Sequence, residues 1–243
     1  METPERVLVF APMPSEMKPV VKLVGLERTG EQGRLPIYKG RCGTAEVVLT
    51  GTGIGPALAD AAAERMLAAS TFDRVVVCGI AGGLAPASVV GDLVVPEEVY
   101  DSATGERFRA TPVDGVTPKG VIRMGGHDDY DLRDEDVAGL VADGVTAVDM
   151  ETAAIARVCK RHNVPWTAFR VISDMAGDAA LDSGVLELVD ELGNPKPWPS
   201  IRYLLTHPRQ IPTMLRVGRD ASAAARAAAK AACASIGSGS VRA

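Results

Sequence analysis

GTGIGPALADAAAERMLAASTFDRVVVCGIAGG, Gly51 to Gly83, is the stretch whose reading decides the fold. Pro56 suits the first turn of a helix, where its missing N–H has no intrahelical partner to lose. Ala57 to Ala69 is periodic and rich in helix formers. Val75 to Val77 reads as a buried strand and passes into the tight, glycine-rich Cys78-Gly79-Ile80-Ala81-Gly82-Gly83. Upstream, Ile37 to Lys39 and Ala45 to Leu49 flank the turn-like Gly40-Arg41-Cys42-Gly43-Thr44 and predict a hairpin. Strand, helix and strand in this order imply a parallel crossover, because parallel neighbours cannot be joined by a tight turn. The fold class is therefore α/β.

Outward from this unit, Val7 to Phe10 predicts a strand ended by Ala11-Pro12-Met13-Pro14, with Ser15 expected to cap a helix beginning at Glu16. Asp92 to Val95 and Val121 to Met124 predict further strands, and the second leads into a polar loop, GGHDDYD. Asp134 to Val141 predicts a short helix. Ala147 to Asp149 extends into a helix through Met150 to Val158, ended by Val164-Pro165, and Thr167 to Ile172 predicts the last core strand. Beyond NPKPWPS, helices are expected around Ile201 to Leu205, Pro212 to Val217 and Ala221 to Ala234. With no internal repeat and no long linker, the expected organisation is one domain. Residues 1–180 form its core, and residues 181–243 form a C-terminal helical extension with a frayed tail.

Composition removes several function classes. The 243 residues are 47% hydrophobic, enough for a substantial core. Twenty-six Lys plus Arg against 31 Asp plus Glu leave a formal net charge of −5, which argues against a nucleic-acid partner. His127, His162 and His207 lack metal-ligand spacing and the four cysteines form no C-x-x-C, so no metal is expected. The start, METPERVLVFAP, lacks the cationic and long apolar parts of a signal peptide, which predicts a cytoplasmic protein. Val75 to Gly91 is too short to span a bilayer, so no stable membrane insertion is expected; an amphipathic role at a membrane surface stays open with weak support in the sequence, because Arg209, Arg216 and Arg219 are few. Aromatic residues make up only 4%, so few rings can stack a base.

The glycine loop GTGIGP lacks the lysine of a P-loop and does not fit G-x-G-x-x-G, so neither a nucleotide nor an organic cofactor is indicated. Its glycines still permit close approach of backbone to a small ligand. Ser15 to Lys18 matches S-x-x-K without the companion elements and is a chance match. Cys78 at an apolar strand end should be an inert thiol. Glu16, Glu151 and Asp174 each stand where a strand ends or a helix begins, which is where α/β sheets hold ligands. Taken singly, each could instead serve a helix N-terminus.

APMPSEM, TGTGIGPALADA, VVVCGIAGGLAPASVVGDLVVP, AVDMETAAIARVCKRHNVPW and FRVISDMAGD follow one another along the chain. In this order they resemble the nucleoside phosphorylase superfamily, closest to methylthioadenosine/adenosylhomocysteine nucleosidases, with some likeness to hopanoid-associated phosphorylase-like proteins. The resemblance covers Val7 to Asp178 and is weak between Asp101 and Asp143. It implies a three-layer α/β/α sandwich with a mixed central sheet, a purine nucleoside as partner, no cofactor, and a homo-oligomer. It further implies that Asp174 is the general acid at purine N7, oriented by Ser173. Glu151 would grip the ribose hydroxyls, Met150 would wall the sugar and base, and Glu16 would activate the attacking water. Met13, Ile80, Ala81 and Gly82 are the remaining expected substrate-binding positions.

Hexameric phosphorylases of this superfamily carry an Arg and a Ser for phosphate on the strand that matches Val75 to Gly83. Here Val77 and Ile80 occupy those positions, and no cationic residue lies between Val75 and Tyr100. Hydrolytic, adenine-releasing cleavage is therefore the expected activity. Phosphate-dependent cleavage and a non-catalytic nucleoside-binding protein are the alternatives, and the GTGIGP amides leave phosphate binding open. The aromatic that stacks the purine would fall in GGHDDY, as His127 or Tyr130. Trp198 would cover a hydrophobic sugar substituent or pack against the core or a neighbouring subunit.

Overall fold

The apolar run Val7-Leu8-Val9 lies in β1 (Arg6–Phe10), and the chain then turns into α1 (Pro14–Val24). A three-stranded antiparallel meander follows, β2 (Glu27–Gln32), β3 (Leu35–Cys42) and β4 (Ala45–Thr50). Helix α2 (Pro56–Ala69) crosses over to β5 (Arg74–Gly83). Next come β6 (Leu93–Val94), β7 (Glu98–Asp101), β8 (Arg107–Arg109) and β9 (Val121–Met124). They are followed by α3 (Asp134–Ala142), β10 (Val145–Asp149), α4 (Thr152–His162) and β11 (Trp166–Met175). The chain closes with α5 (Pro197–Thr206), a 3-10 turn (Pro208–Gln210) and α6 (Ile211–Gly237). This computed structural model describes residues 3–84, 86–125, 134–175 and 188–237.

The sheet runs β2-β3-β4-β1-β5-β10-β9-β7-β8, with β11 on β5 and β6 on β11. Strands β4, β1, β5 and β11 are mutually parallel, while β10 meets β5 antiparallel, so the sheet is mixed as expected. Strand β5 is the branch point. Its first half pairs with β1 through Arg74 to Val77, its last two glycines pair with β10, and β11 runs along its whole other edge.

Period-2 alternation sends Val75 and Val77 to one face of the sheet and Val76 and Cys78 to the other. The first face packs under α2 and α4 through Ala59, Ala63, Met66, Ile155 and Val158. The second packs under α1 and α6 through Met17, Val20, Ala228, Ala232 and Ile236. These are the three layers expected for the α/β/α sandwich. Alanine dominates the inward faces of α2 and α6, which lets each helix lie close to the sheet.

The structure departs from the sequence expectations in five places. The glycine-rich run Cys78 to Gly83, read as a tight loop after the strand, continues β5, because β11 pairs with it along its length. Helix α1 starts at Pro14 with Met13 as its N-cap, so Ser15 sits inside the first turn instead of capping it. Proline at N1 loses no hydrogen bond, which moves the start forward. The two helices expected around Pro212 to Val217 and Ala221 to Ala234 are one, because Gly218 in a helix costs only about 1 kcal/mol relative to alanine. The strand expected at Asp92 to Val95 shrinks to two residues. Strands β2, β7 and β8 had no expectation; β2 is almost wholly exposed and carries no apolar alternation. His127 and Tyr130 lie outside the described residues.

Candidate active site

Glu16 is the third residue of α1, and its carboxylate faces into the fold. Its Oε2 accepts the Met13 N–H at 2.8 Å and its Oε1 accepts the Ile80 N–H at 2.8 Å. The first bond is the helix-capping role of an acid near an N-terminus. The second ties α1 to the end of β5.

Gly79 stands beside this carboxylate, paired in register with Arg170 of β11. A Cβ at Gly79 would overlap Glu16 Oε1 and fall 2.6 Å from Arg170 Nη1. Gly79→Ala should therefore lose about 1–3 kcal/mol in urea unfolding by displacing that pair. A variant as stable as the parent would show that the Glu16–Arg170 packing has slack.

Glu151 lies between β10 and α4, where an acid would ordinarily cap the helix. Asp149 does that work instead: its Oδ1 accepts the N–H groups of Glu151 and Thr152 at 3.3 and 3.2 Å, and its Oδ2 accepts the Thr152 hydroxyl. Glu151 is thereby released to accept the Gly55 N–H at 2.9 Å through Oε1. Its Oε2 lies 3.4 Å from Arg170 Nη2.

Arg170 organises these acids, and the sequence reading assigned it no role. It is fully buried on β11. Nη2 pairs with Asp149 Oδ2 at 2.8 Å and donates to Thr152 Oγ1 at 3.0 Å, and Nη1 lies 3.8 Å from Glu16 Oε1. The available signal was an arginine between Phe169 and Val171 in an apolar strand, since such a charge is almost never fully buried unless paired.

The burial of this cluster shapes its protonation. Burial pushes Glu16 up, and Arg170 with the Ile80 and Met13 N–H groups only partly opposes it. Burial likewise pushes Glu151 up to about 7 against the pull of Arg170. Burial pulls Arg170 down, but Asp149, Glu151 and Glu16 outweigh it and hold the guanidinium above its ordinary value.

A carboxyl that holds its proton more tightly folded than unfolded favours the folded state at acid pH. That contribution fades as pH rises from the ordinary value of 4.5 to about 7. The unfolding free energy of the ligand-free chain should fall by about 1–3 kcal/mol between pH 5 and pH 8, and Glu151→Gln should flatten the slope. A rising profile over that interval would contradict the assignment.

Asp174 and Ser173 complete the arrangement at the end of β11. The pairing of β11 with β5 shifts register between Ile172 and Asp174, so that Asp174 lies opposite Gly82. The Ser173 hydroxyl donates to Asp174 Oδ1. Oδ2 lies 3.9 Å from where a Gly82 Cβ would be, so a side chain at Gly82 would press on the carboxylate. Met150 and Ala81 are buried nearby in the sequence segments that carry these groups, and Ile80 is half-buried. Met13 packs against the backbone of Gly193.

Glu16 and Arg170 meet just beyond the carboxyl ends of β1 and β4, beside Gly79 on the second half of β5 that β11 flanks and that β10 meets antiparallel; the crevice past the carboxyl ends of parallel strands is where open α/β sheets hold ligands. The glycine loop differs from its expected availability to an anion. The N–H groups of Gly53, Ile54 and Gly55 are donated to Pro12 O at 3.1 Å, Glu191 O at 2.8 Å and Glu151 Oε1 at 2.9 Å. Cys78 is buried beside Glu16 and its thiol is pushed far up, consistent with an inert residue.

The model of the phosphorylase superfamily matches residues 6–133 and 129–194. The chain belongs to that superfamily. Among superfamily members, it is 30% identical over 183 residues to the 5'-methylthioadenosine/S-adenosylhomocysteine nucleosidase of Aeromonas salmonicida, covering 64% of this chain and 80% of that protein. The crystal structure of the corresponding Neisseria meningitidis nucleosidase, in complex with methylthio-immucillin-A, aligns with a TM-score of 0.72 at 22% identity, covering 96% of this chain and 99% of that one. The futalosine hydrolase of Helicobacter pylori aligns with a TM-score of 0.68 at 19% identity, covering 93% and 94% of the two chains. The sandwich is thus the superfamily fold in this chain.

Proposed function

We propose that this chain is a purine nucleoside N-glycosidase that attacks with water and releases adenine, acting on nucleosides of the methylthioadenosine and adenosylhomocysteine class. The observation that carries the reading is the electrostatic setting of Glu16. It is fixed by two backbone N–H groups and stands in a buried cluster of three carboxylates around one guanidinium. A phosphate dianion entering this cluster would meet uncompensated negative charge at low dielectric, whereas a water molecule carries none. The three amides of the glycine loop that could have received an anion are already used. The similarity to a nucleosidase that covers 80% of the relative's length points the same way.

The chemistry follows from where charge develops. As the bond from C1′ to the purine breaks, its electron pair moves onto the base and positive charge grows on the ribose. Asp174 delivers a proton to purine N7, with Ser173 holding the carboxyl in place, so the base leaves neutral. A carboxylate has about four acceptor sites, and the Gly55 N–H and Arg170 engage two of those on Glu151. The remainder receive the ribose hydroxyls. Glu16 takes the proton of the water whose oxygen bonds to C1′, and both glutamates stabilise the cationic sugar. Met150, Met13, Ile80, Ala81 and Gly82 form the walls against sugar and base. Four free cysteines suit the cytoplasm, and a homo-oligomer is the assembly we expect.

The test is a panel of methylthioadenosine, adenosylhomocysteine, adenosine and inosine with free base as the readout. Adenine should appear fastest from the two thio-substituted nucleosides. Faster hypoxanthine release from inosine would shift the substrate class, and no base from any of the four would leave a binding protein on an enzyme fold.

A further inference from the structure

The charge of this chain is sharply divided. From Leu192 to Arg219 it carries five cationic residues, Lys196, Arg202, Arg209, Arg216 and Arg219, and no acid. The remaining chain carries 21 cations against 31 acids, a formal −10. The cationic segment coincides with α5, the 3-10 turn and the first turns of α6.

Those first turns are only partly covered: Ile211, Met214 and Val217 are half-buried. The buried residues of α6 begin only at Ala224, and none of the ten residues Ile211–Asp220, about 15 Å of helix, is buried. Pro212, Leu215, Arg216 and Arg219, spaced i, i+3, i+4 and i+7, are all exposed and share one face. On α5, exposed Trp198 and exposed Arg202 are one turn apart. Trp198 is 81% exposed and Leu215 70%, the two most exposed large apolar residues described. Asp220 bounds the patch, 4.0 Å from Arg216 and 3.9 Å from Arg219. The Tyr203 hydroxyl bonded to Gln210 and the Tyr203 ring stacked on His207 brace α5 against the turn that follows it.

We propose that this helical pair is a docking surface for an anionic phospholipid bilayer. Trp198 on α5 has Arg202 one turn away and Leu215 on α6 has Arg216 and Arg219, the pattern of a helix that lies in a headgroup layer instead of crossing it. Tryptophan favours that layer, and basic side chains are drawn to anionic headgroups. Among the described residues no helix is long and apolar enough to cross a membrane, as surface docking requires. Charge separation supplies the orientation: the acidic body is repelled by the same surface that attracts the helical pair. A second copy using this face in a two-fold contact would set Arg202, Arg216 and Arg219 against their own copies, which disfavours that occupant. The segment leaves the body beside the site, where Glu191 O accepts the Ile54 N–H and Gly193 packs on Met13. Docking would therefore hold the site's loops near the bilayer.

The experiment is flotation of the full chain with phosphatidylglycerol/phosphatidylcholine vesicles and with phosphatidylcholine vesicles alone, together with tryptophan emission in a Trp166→Phe background. Expected are at least tenfold more protein on the anionic vesicles, a blue shift from Trp198, and loss of both at 0.5 M salt. The triple variant Arg202→Glu, Arg216→Glu, Arg219→Glu should lose binding while keeping the parent's circular dichroism and nucleoside turnover. Equal recovery on both vesicle types, or binding unchanged in the triple variant, would overturn the proposal. So would concentration-dependent dimerisation abolished by Trp198→Ala and Leu215→Ala without any vesicle binding, which would assign the surface to a second copy.

Discussion

Arg170→Met should cost about 3–5 kcal/mol and lower the melting temperature by about 10 °C at pH 7.5. The guanidinium is fully buried and is shared by Asp149, Glu151 and Glu16. Methionine fills much of the same volume, so the loss reports charge more than a cavity. Three carboxyls would remain in a dry interior with no cation, and proton uptake is their only relief. The stability gap between variant and parent should therefore narrow as pH falls from 8 to 5. Arg170→Lys keeps the charge but cannot serve Asp149, Thr152 and Glu151 from one planar fork, so it should fall between the two. Melting curves of the three proteins across pH check this. A methionine variant within 2 °C of the parent at every pH would mean that the cluster is not held by its cation.

Asp174→Asn should lower kcat by about 10²–10⁴ while leaving the melting temperature nearly unchanged. Asparagine has the same shape and can still accept the Ser173 hydroxyl hydrogen bond. It lacks the proton that a carboxylic acid gives to the leaving base. Asp174 is half-buried at a strand end, and the isosteric amide leaves no cavity there, so folding should be little changed. Steady-state release of adenine separates this from a binding role, because lost binding alone would raise KM and spare kcat. Full activity in the variant would remove Asp174 from proton transfer.

The parallel crossover around β5 was legible because Val75 to Val77 is a continuous β-branched run and Pro56 marks a helix start. The candidate acids were legible as residues but not in their partners. Glu16 serves both readings at once, capping α1 with one oxygen and bonding Ile80 with the other. Glu151 escapes the capping role because Asp149, two residues earlier, takes it. Arg170 went unassigned because a charge within a strand pattern reads as noise until its three acids, distant in sequence, converge on it. The use of the GTGIGP amides was equally hidden, since Pro12 and Glu191 reach them only in the folded chain. Strand β2 gave no signal because it is exposed on nearly every position, and the continuity of α6 through Gly218 is set by the anchoring of its alanine-rich half.

The most direct test of the central claim is the identity of the sugar product formed from methylthioadenosine with and without excess inorganic phosphate. Release of adenine at the same rate in both, with free methylthioribose as the sugar, is the predicted result. Adenine release that requires phosphate and yields methylthioribose 1-phosphate would contradict it.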